Sequence, residues 1–185
     1  MAMGRMRILV ATATAAALAV AAAGSAGATA EGAHGPRPQR EAAALTGTAK
    51  LYRPLGDDIT FSIDAHLAAK DNMDPAKAYG TFSFSHYLHG RGGWARGRVD
   101  CLTTGGRTAV MTGVVTDSDT PFKGHRVGIT VTDDGAHDRL GYTWESPDTE
   151  TLTVPRCLGG APFEFVKKGS GDFRVLPWHP VYPTK

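Results

Sequence analysis

Several kinds of chemistry have no machinery in this chain. There is no Gly-x-Ser-x-Gly nucleophile elbow, no His-Glu-x-x-His zinc motif and no phosphate loop. The two cysteines, Cys101 and Cys157, form no Cys-x-x-Cys pair and have no basic cluster beside them, so nothing prepares a reactive thiol. Net charge is also scarce. The formal +2 comes from 20 Lys and Arg against 18 Asp and Glu, and residues 1–30 contain Arg5 and Arg7 with no acid. Without them the remainder is balanced, so there is no basic footprint for nucleic acid and no electrostatic means of docking on a membrane. A helical period is missing too: outside the leader no run of ten or more residues keeps apolar side chains on one helical face.

Residues 1–30 read as a secretory signal peptide. They have a basic start, an apolar run from Ile8 to Ala23 and small residues through Ala28-Thr29-Ala30, with cleavage after Ala30 or, equally legally, after Ala28. The apolar run is shorter than the roughly 20 residues a bilayer span requires. The chain is therefore expected to be exported, with no membrane anchor after cleavage. Residues 31–44 hold Pro36, Pro38, charges and small residues and read as a flexible arm. A single folded domain is expected over 45–185. Export places the cysteines in an oxidising compartment, where Cys101 and Cys157 are expected to pair as a disulfide.

Within the domain, apolar residues alternate with a period of two. Ile59, Phe61, Ile63, Ala65 and Leu67 share one parity, and Val127, Ile129 and Val131 repeat the pattern, as do Leu140, Tyr142 and Trp144. Strands are expected near 45–53, 59–67, 79–88, 94–103, 107–116, 125–132, 139–145 and 151–155, with a last pair at 163–166 and 172–176. Asp, Gly and Lys turns separate them. Gly105-Gly106 is expected to form a two-residue hairpin, and Ala68 to Ala78, interrupted by Pro75, at most one helical turn. Gly80, Gly97, Gly113, Gly128 and Gly141 each fall inside a different strand, where glycine marks a bend, a bulge or a close backbone approach. The fold class is therefore all-β: an antiparallel barrel of about eight strands with one disulfide, a β-sandwich being the alternative.

Four groups of side chains and one serine bear on chemistry. Trp94, Arg96 and Arg98 share one strand face and interleave cations with an aromatic ring, a ligand face suited to a carbohydrate or polyanion. Asp133, Asp134, His137 and Asp138 fill a turn with oxygen ligands; this loop is a place for calcium or for an acid–base pair. Asp117 and Asp119 form a smaller acidic turn. His86 and His89 are spaced to point to opposite faces of a strand, and His86 shares the parity of Phe82 and Phe84 as a hydrogen-bonded core histidine. Ser170 sits in a Gly-Ser-Gly turn.

From Tyr79 to Trp144 the chain resembles an uncharacterised family of small secreted all-β proteins of actinobacteria. The resemblance is carried by Gly80-Thr81-Phe82-Ser83-Phe84, by Gly97-Arg98-Val99-Asp100-Cys101-Leu102, by the Ala109 to Val115 strand, and by Val131-Thr132-Asp133-Asp134-Gly135, where the family has Asp-Asn-Gly. It implies secretion and a barrel-like domain, and it transfers no catalytic residue. The expected function is that of a secreted, non-enzymatic module binding a small molecule, a glycan or another extracellular partner, with an extracellular hydrolase or isomerase as the alternative.

Overall fold

The computed structural model describes residues 40–145 and 153–182. The signal peptide expected over 1–30 and the arm as far as residue 39 lie outside the described residues. The last part of that arm is sheet. Strand β1 begins at Glu41 (Glu41–Lys50) and buries Ala43, Ala44 and Leu45. Small apolar residues that look like a loose tail in the sequence thus form a closely packed strand.

Strands β2 (Asp58–Ala68), β3 (Tyr79–Leu88), β4 (Arg91–Gly105), β5 (Thr108–Ser118), β6 (Arg126–Thr132), β7 (Arg139–Trp144), β8 (Glu164–Phe165) and β9 (Asp172–Leu176) follow. All pair antiparallel in one curled sheet of order β8-β7-β6-β5-β4-β3-β2-β1-β9, a half-barrel. The alternation sets the inner face: Ile59, Phe61, Ile63, Ala65 and Leu67 of β2 are all buried. Between β2 and β3 lie two short 3₁₀ turns, Ala69–Asp71 and Pro75–Lys77, the second capped by the Asp74 carboxylate accepting from the Ala76 N–H. The concave side is filled by the protein's own side chains. Aromatic rings run through it, Phe82 to Phe84, Phe84 to Phe61 and Trp144, and Tyr142 to both Phe61 and Trp144, with centroids 4.7–6.4 Å apart.

Two departures from simple alternation have physical causes. The β4–β5 hairpin turns one residue later than expected. Gly105 pairs with Thr108, leaving Gly106 and Arg107 as the loop, and only Gly106 takes a positive φ, +57°. A bulge lies between Val99 and Cys101, where Val99 faces Gly113 and Cys101 faces Thr112. The extra residue breaks the shared parity of Val99 and Cys101 and sends Cys101 to the outer face.

There Cys101 forms the disulfide with Cys157, closing a separation of 56 residues. The expected strand at 151–155 is absent from its described part: residues 153–163 run as an irregular strap over the outside of β5, β6 and β7. This strap explains two of the five strand glycines. A Cβ on Gly128 would lie 2.3 Å from the Leu158 carbonyl, and one on Gly141 would lie 2.0 Å from that of Ala161. Gly97 and Gly113 serve the opposite face, where a Cβ on either would lie 2.5 Å from the Phe82 ring. Polar contacts hold the strap as well. Asp100, its side chain 14% exposed, accepts from Arg126 Nε (3.0 Å) and from the Thr112 hydroxyl (2.6 Å), and Arg156 lies 3.7 Å away. Thr112 in turn accepts from the Cys157 N–H (3.1 Å), and Glu145 accepts from the N–H groups of Arg126 and Val154.

Replacing both Cys101 and Cys157 by Ser is expected to lower the unfolding free energy by roughly 4 kcal/mol in urea titrations, the worth of closing a loop of this length. Gly97→Ala is expected to cost about 2 kcal/mol, because its Cβ would meet the Val114 carbonyl oxygen at 2.3 Å as well as the Phe82 ring at 2.5 Å. Adding Phe82→Leu relieves the ring contact but not the carbonyl one, so the double variant should cost less than the sum of the two single changes yet more than Phe82→Leu alone.

Candidate functional site

The outer face of β2–β5 carries a groove of about 320 Å³. Pairing register builds it from rungs of side chains. Asp64 of β2 stands opposite Thr81 of β3, which stands opposite Arg98 of β4; one rung along, Ser62, Ser83 and Arg96 are aligned in the same way. Thr116 enters from β5 at a second bulge, between Arg96 and Gly97, and donates to the Arg96 carbonyl. Trp94 continues the row beyond Arg96, opposite Ser85. The expected ligand face, Trp94, Arg96 and Arg98, is therefore one wall of a larger surface. Its hydroxyl lining and Asp64 escape single-strand reading, because only the register sets them beside the arginines.

The two arginines differ. The Arg96 guanidinium lies 5.7 Å from the Trp94 ring centroid and donates to Asp117 Oδ2 at 2.6 and 3.1 Å. Both groups of that pair are well exposed, so it orients Arg96 more than it stabilises the fold. Arg98 is exposed and has no hydrogen-bond or ion-pair partner among the described residues. Asp64 is oriented by His66 at 2.9 Å, and the other ring nitrogen of His66 lies 2.7 Å from Glu41. Asp119, the second acid of its turn, accepts from the Trp94 backbone N–H at 2.7 Å.

The loop Asp133 to Asp138, between β6 and β7, has a different geometry. Asp138 is 2% exposed; its Oδ1 accepts from the Asp134 N–H (2.9 Å) and its Oδ2 from the Phe173 N–H (2.8 Å). Asp133 Oδ2 accepts from the Val175 N–H (3.1 Å), Asp134 pairs with Arg107, and His137 is exposed. Asp133 and Asp138 thus satisfy the free edge of β9. Among the described residues no group of three or more His, Cys, Asp or Glu side chains gathers to hold a metal ion.

A third cluster sits at the rim, a grouping that the sequence does not predict. Arg53 donates to the Tyr142 hydroxyl (2.9 Å) and pairs with Glu164 (2.8 Å), and Asp57 lies 3.7 Å from Arg53 and 3.0 Å from His86. Burial pushes the Tyr142 phenol above its usual pKa, so it stays protonated. His86 does not behave as a core histidine. It keeps the inward parity of Phe82 and Phe84, yet it stands at the strand end, where its side chain is 51% exposed. His89 lies in the following turn at φ +50°. The Ser170 hydroxyl closes its own turn, donating to the Lys167 carbonyl at 2.7 Å and accepting from the Lys50 N–H.

Fold and surface together define a disulfide-bonded antiparallel half-barrel with a packed interior and a polar groove on its outer face. Comparison with known proteins finds no matching family model, no matching curated protein and no matching solved structure. No helix among the described residues is long and apolar enough to cross a membrane, and the disulfide fits an oxidising compartment.

Asp138 gives a pH dependence with a definite sign. Burial raises its pKa above the ordinary 3.8, against the pull of the Phe173 and Asp134 N–H groups. Its stabilising contribution is complete below pH 3.8 and is lost as pH rises through the raised folded value. The stability of the wild type relative to Asp138→Asn, followed by urea unfolding, should therefore fall as pH rises through that window. Asp138→Ala leaves both N–H donors unpaired and should cost about 3 kcal/mol.

Proposed function

We propose that the protein is a secreted, non-enzymatic module that binds a saccharide in the outer groove of β2–β5. The observation that carries this reading is the groove's composition. Four hydroxyls (Ser62, Thr81, Ser83 and Thr116) and the Asp64 carboxylate lie beside the two arginines of β4, and Trp94 flanks the wall. Hydroxyls and a carboxylate exchange hydrogen bonds with a polyol, while an indole offers its face to the apolar side of a sugar ring. A mixed lining, with one carboxylate beside two arginines of which Arg96 is already paired with Asp117, suits such a ligand better than a polyanion, which calls for a wide basic surface.

One feature supports binding at the surface rather than inside. Phe61, Leu102, Met111, Ile129, Leu140 and Phe173, all fully buried, fill the concave side where a carrier would keep its ligand. Secretion draws support from the leader-like residues 1–30 and from the disulfide. The alternative, an extracellular hydrolase or isomerase, has its best support in the rim pair Asp57 and His86, since the carboxylates of Asp133 and Asp138 are engaged by backbone N–H groups.

A thermal-shift screen across sugars, lipids and divalent ions should show the melting temperature rising with saccharides, because anything that binds the native state stabilises it. Trp94→Ala should abolish the shift while leaving the unliganded melting temperature within a degree or two of wild type. Retention of the full shift in that variant would place binding elsewhere.

A further inference from the structure

We propose that the saccharide bound in this groove is acidic, carrying a carboxylate that pairs with Arg98; the inference rests on the saccharide reading above. The charges of the outer face are committed unevenly. Arg96 is engaged by Asp117 and by the Trp94 ring, and Asp64 is engaged by His66. Arg98 alone among the groove's charged groups has no partner among the described residues, although it stands on a rung otherwise formed by Thr81 and Asp64. Its planar fork matches a carboxylate with two parallel hydrogen bonds, a geometry that a neutral hydroxyl does not fill.

The spacing favours a ring held at both ends. Asp64 and Arg98 are separated by one strand, about 10 Å between their backbones at two interstrand spacings. A pyranose ring laid over Thr81 would present its carboxylate to Arg98 and its hydroxyls to Asp64, as acceptor, and to Thr81 and Ser83. The adjacent Asp64 and Asp117 set an upper limit on ligand charge. A phosphate or a densely sulfated chain would meet two carboxylates for one free guanidinium, whereas a single carboxylate per ring is matched by Arg98 alone. The neutral body of the protein agrees with this, since nothing beyond the groove attracts a polyanion.

The test is isothermal titration calorimetry with three probes of equal length: a neutral galactose oligomer bearing one galacturonate residue, its methyl ester, and the same oligomer bearing one sulfate in place of the carboxylate. The unesterified oligomer is expected to bind at least tenfold more tightly than the ester, the range of one charge-assisted pair. That advantage should shrink with added salt. Arg98→Gln should remove the advantage, bringing the affinity for the acid down to that of the variant for the ester. Arg98 is exposed and without a described partner, so the variant should melt with the wild type; Asp64→Asn serves as a second probe and should weaken acid and ester alike. Equal affinity for acid and ester, or tighter binding of the sulfated oligomer, overturns the carboxylate inference and leaves the saccharide reading standing. Absence of binding by all three probes overturns both.

Discussion

One buried carboxylate carries the problem every open curled sheet has to solve, the free edge of its last strand. β9 joins the sheet through β1 only, so the opposite edge of β9 presents N–H groups at Phe173 and Val175 with no strand to receive them. Asp138 takes the first and Asp133 the second, both from the β6–β7 loop on the far side of the curl. Burying a carboxylate is costly unless its oxygens are hydrogen-bonded. Here both oxygens are, and the bonds tie chain segments 35 residues apart. The Thr104 hydroxyl adds a third tie by donating to the Leu176 carbonyl. At and just past the end of β1 the chain is bridged to the end of β8 and the residues after it: Leu51 pairs with Val166, Tyr52 donates to the Phe165 carbonyl and Lys167 to that of Lys50. Such contacts draw the margins of a half-barrel together and leave little unpaired edge for another chain to extend.

This use of Asp133 and Asp138 shows why the acidic loop reads as ligand chemistry in the sequence. A turn rich in carboxylates has the same composition whether it receives a cation or backbone N–H groups, and only tertiary structure supplies the donors. Other features were legible because they are local. Period-two patterning marked β2, β3, β6 and β7 almost to the residue, and export logic paired the cysteines. What escaped depends on an insertion or on a partner. The bulge at Asp100 reverses the face of Cys101. The small residues at 41–44 become a strand only against β2. The segment after residue 152, though it has strand-like composition in Val154, lies as a strap because Gly128 and Gly141 offer it a smooth surface rather than an edge.

The glycines then act in two layers. Gly97 and Gly113 open space inward for one aromatic ring, which anchors the packed interior; Gly128 and Gly141 open space outward for the strap. A sheet thinned on both faces in neighbouring strands can curl tightly, and the bulges at Arg96/Gly97 and Val99/Cys101 fall in the same β4–β5 region. Curl, strap and groove therefore share a cause. The bulge beside Arg96 delivers Thr116 to the groove, and the one at Asp100 delivers Cys101 to the strap.

From this follows an assignment of faces. The inner face is occupied by Phe61, Phe82, Phe84, Tyr142 and Trp144, whose rings already contact one another, so opening it to a ligand would sacrifice the packing that holds the curl. The outer face of β5–β7 is covered by the disulfide-held strap. The outside of β2–β4 is accessible on a rigid, fully paired part of the sheet, and there the side chains at alternate positions are Ser62, Asp64, Thr81, Ser83, Trp94, Arg96 and Arg98. A row of polar groups on paired strands loses little further entropy when it meets a ligand, because the ladder has already fixed its backbone. The same hydroxyls on a loop would have to be ordered first, so a binding surface built on these rungs has its preorganisation supplied by the fold.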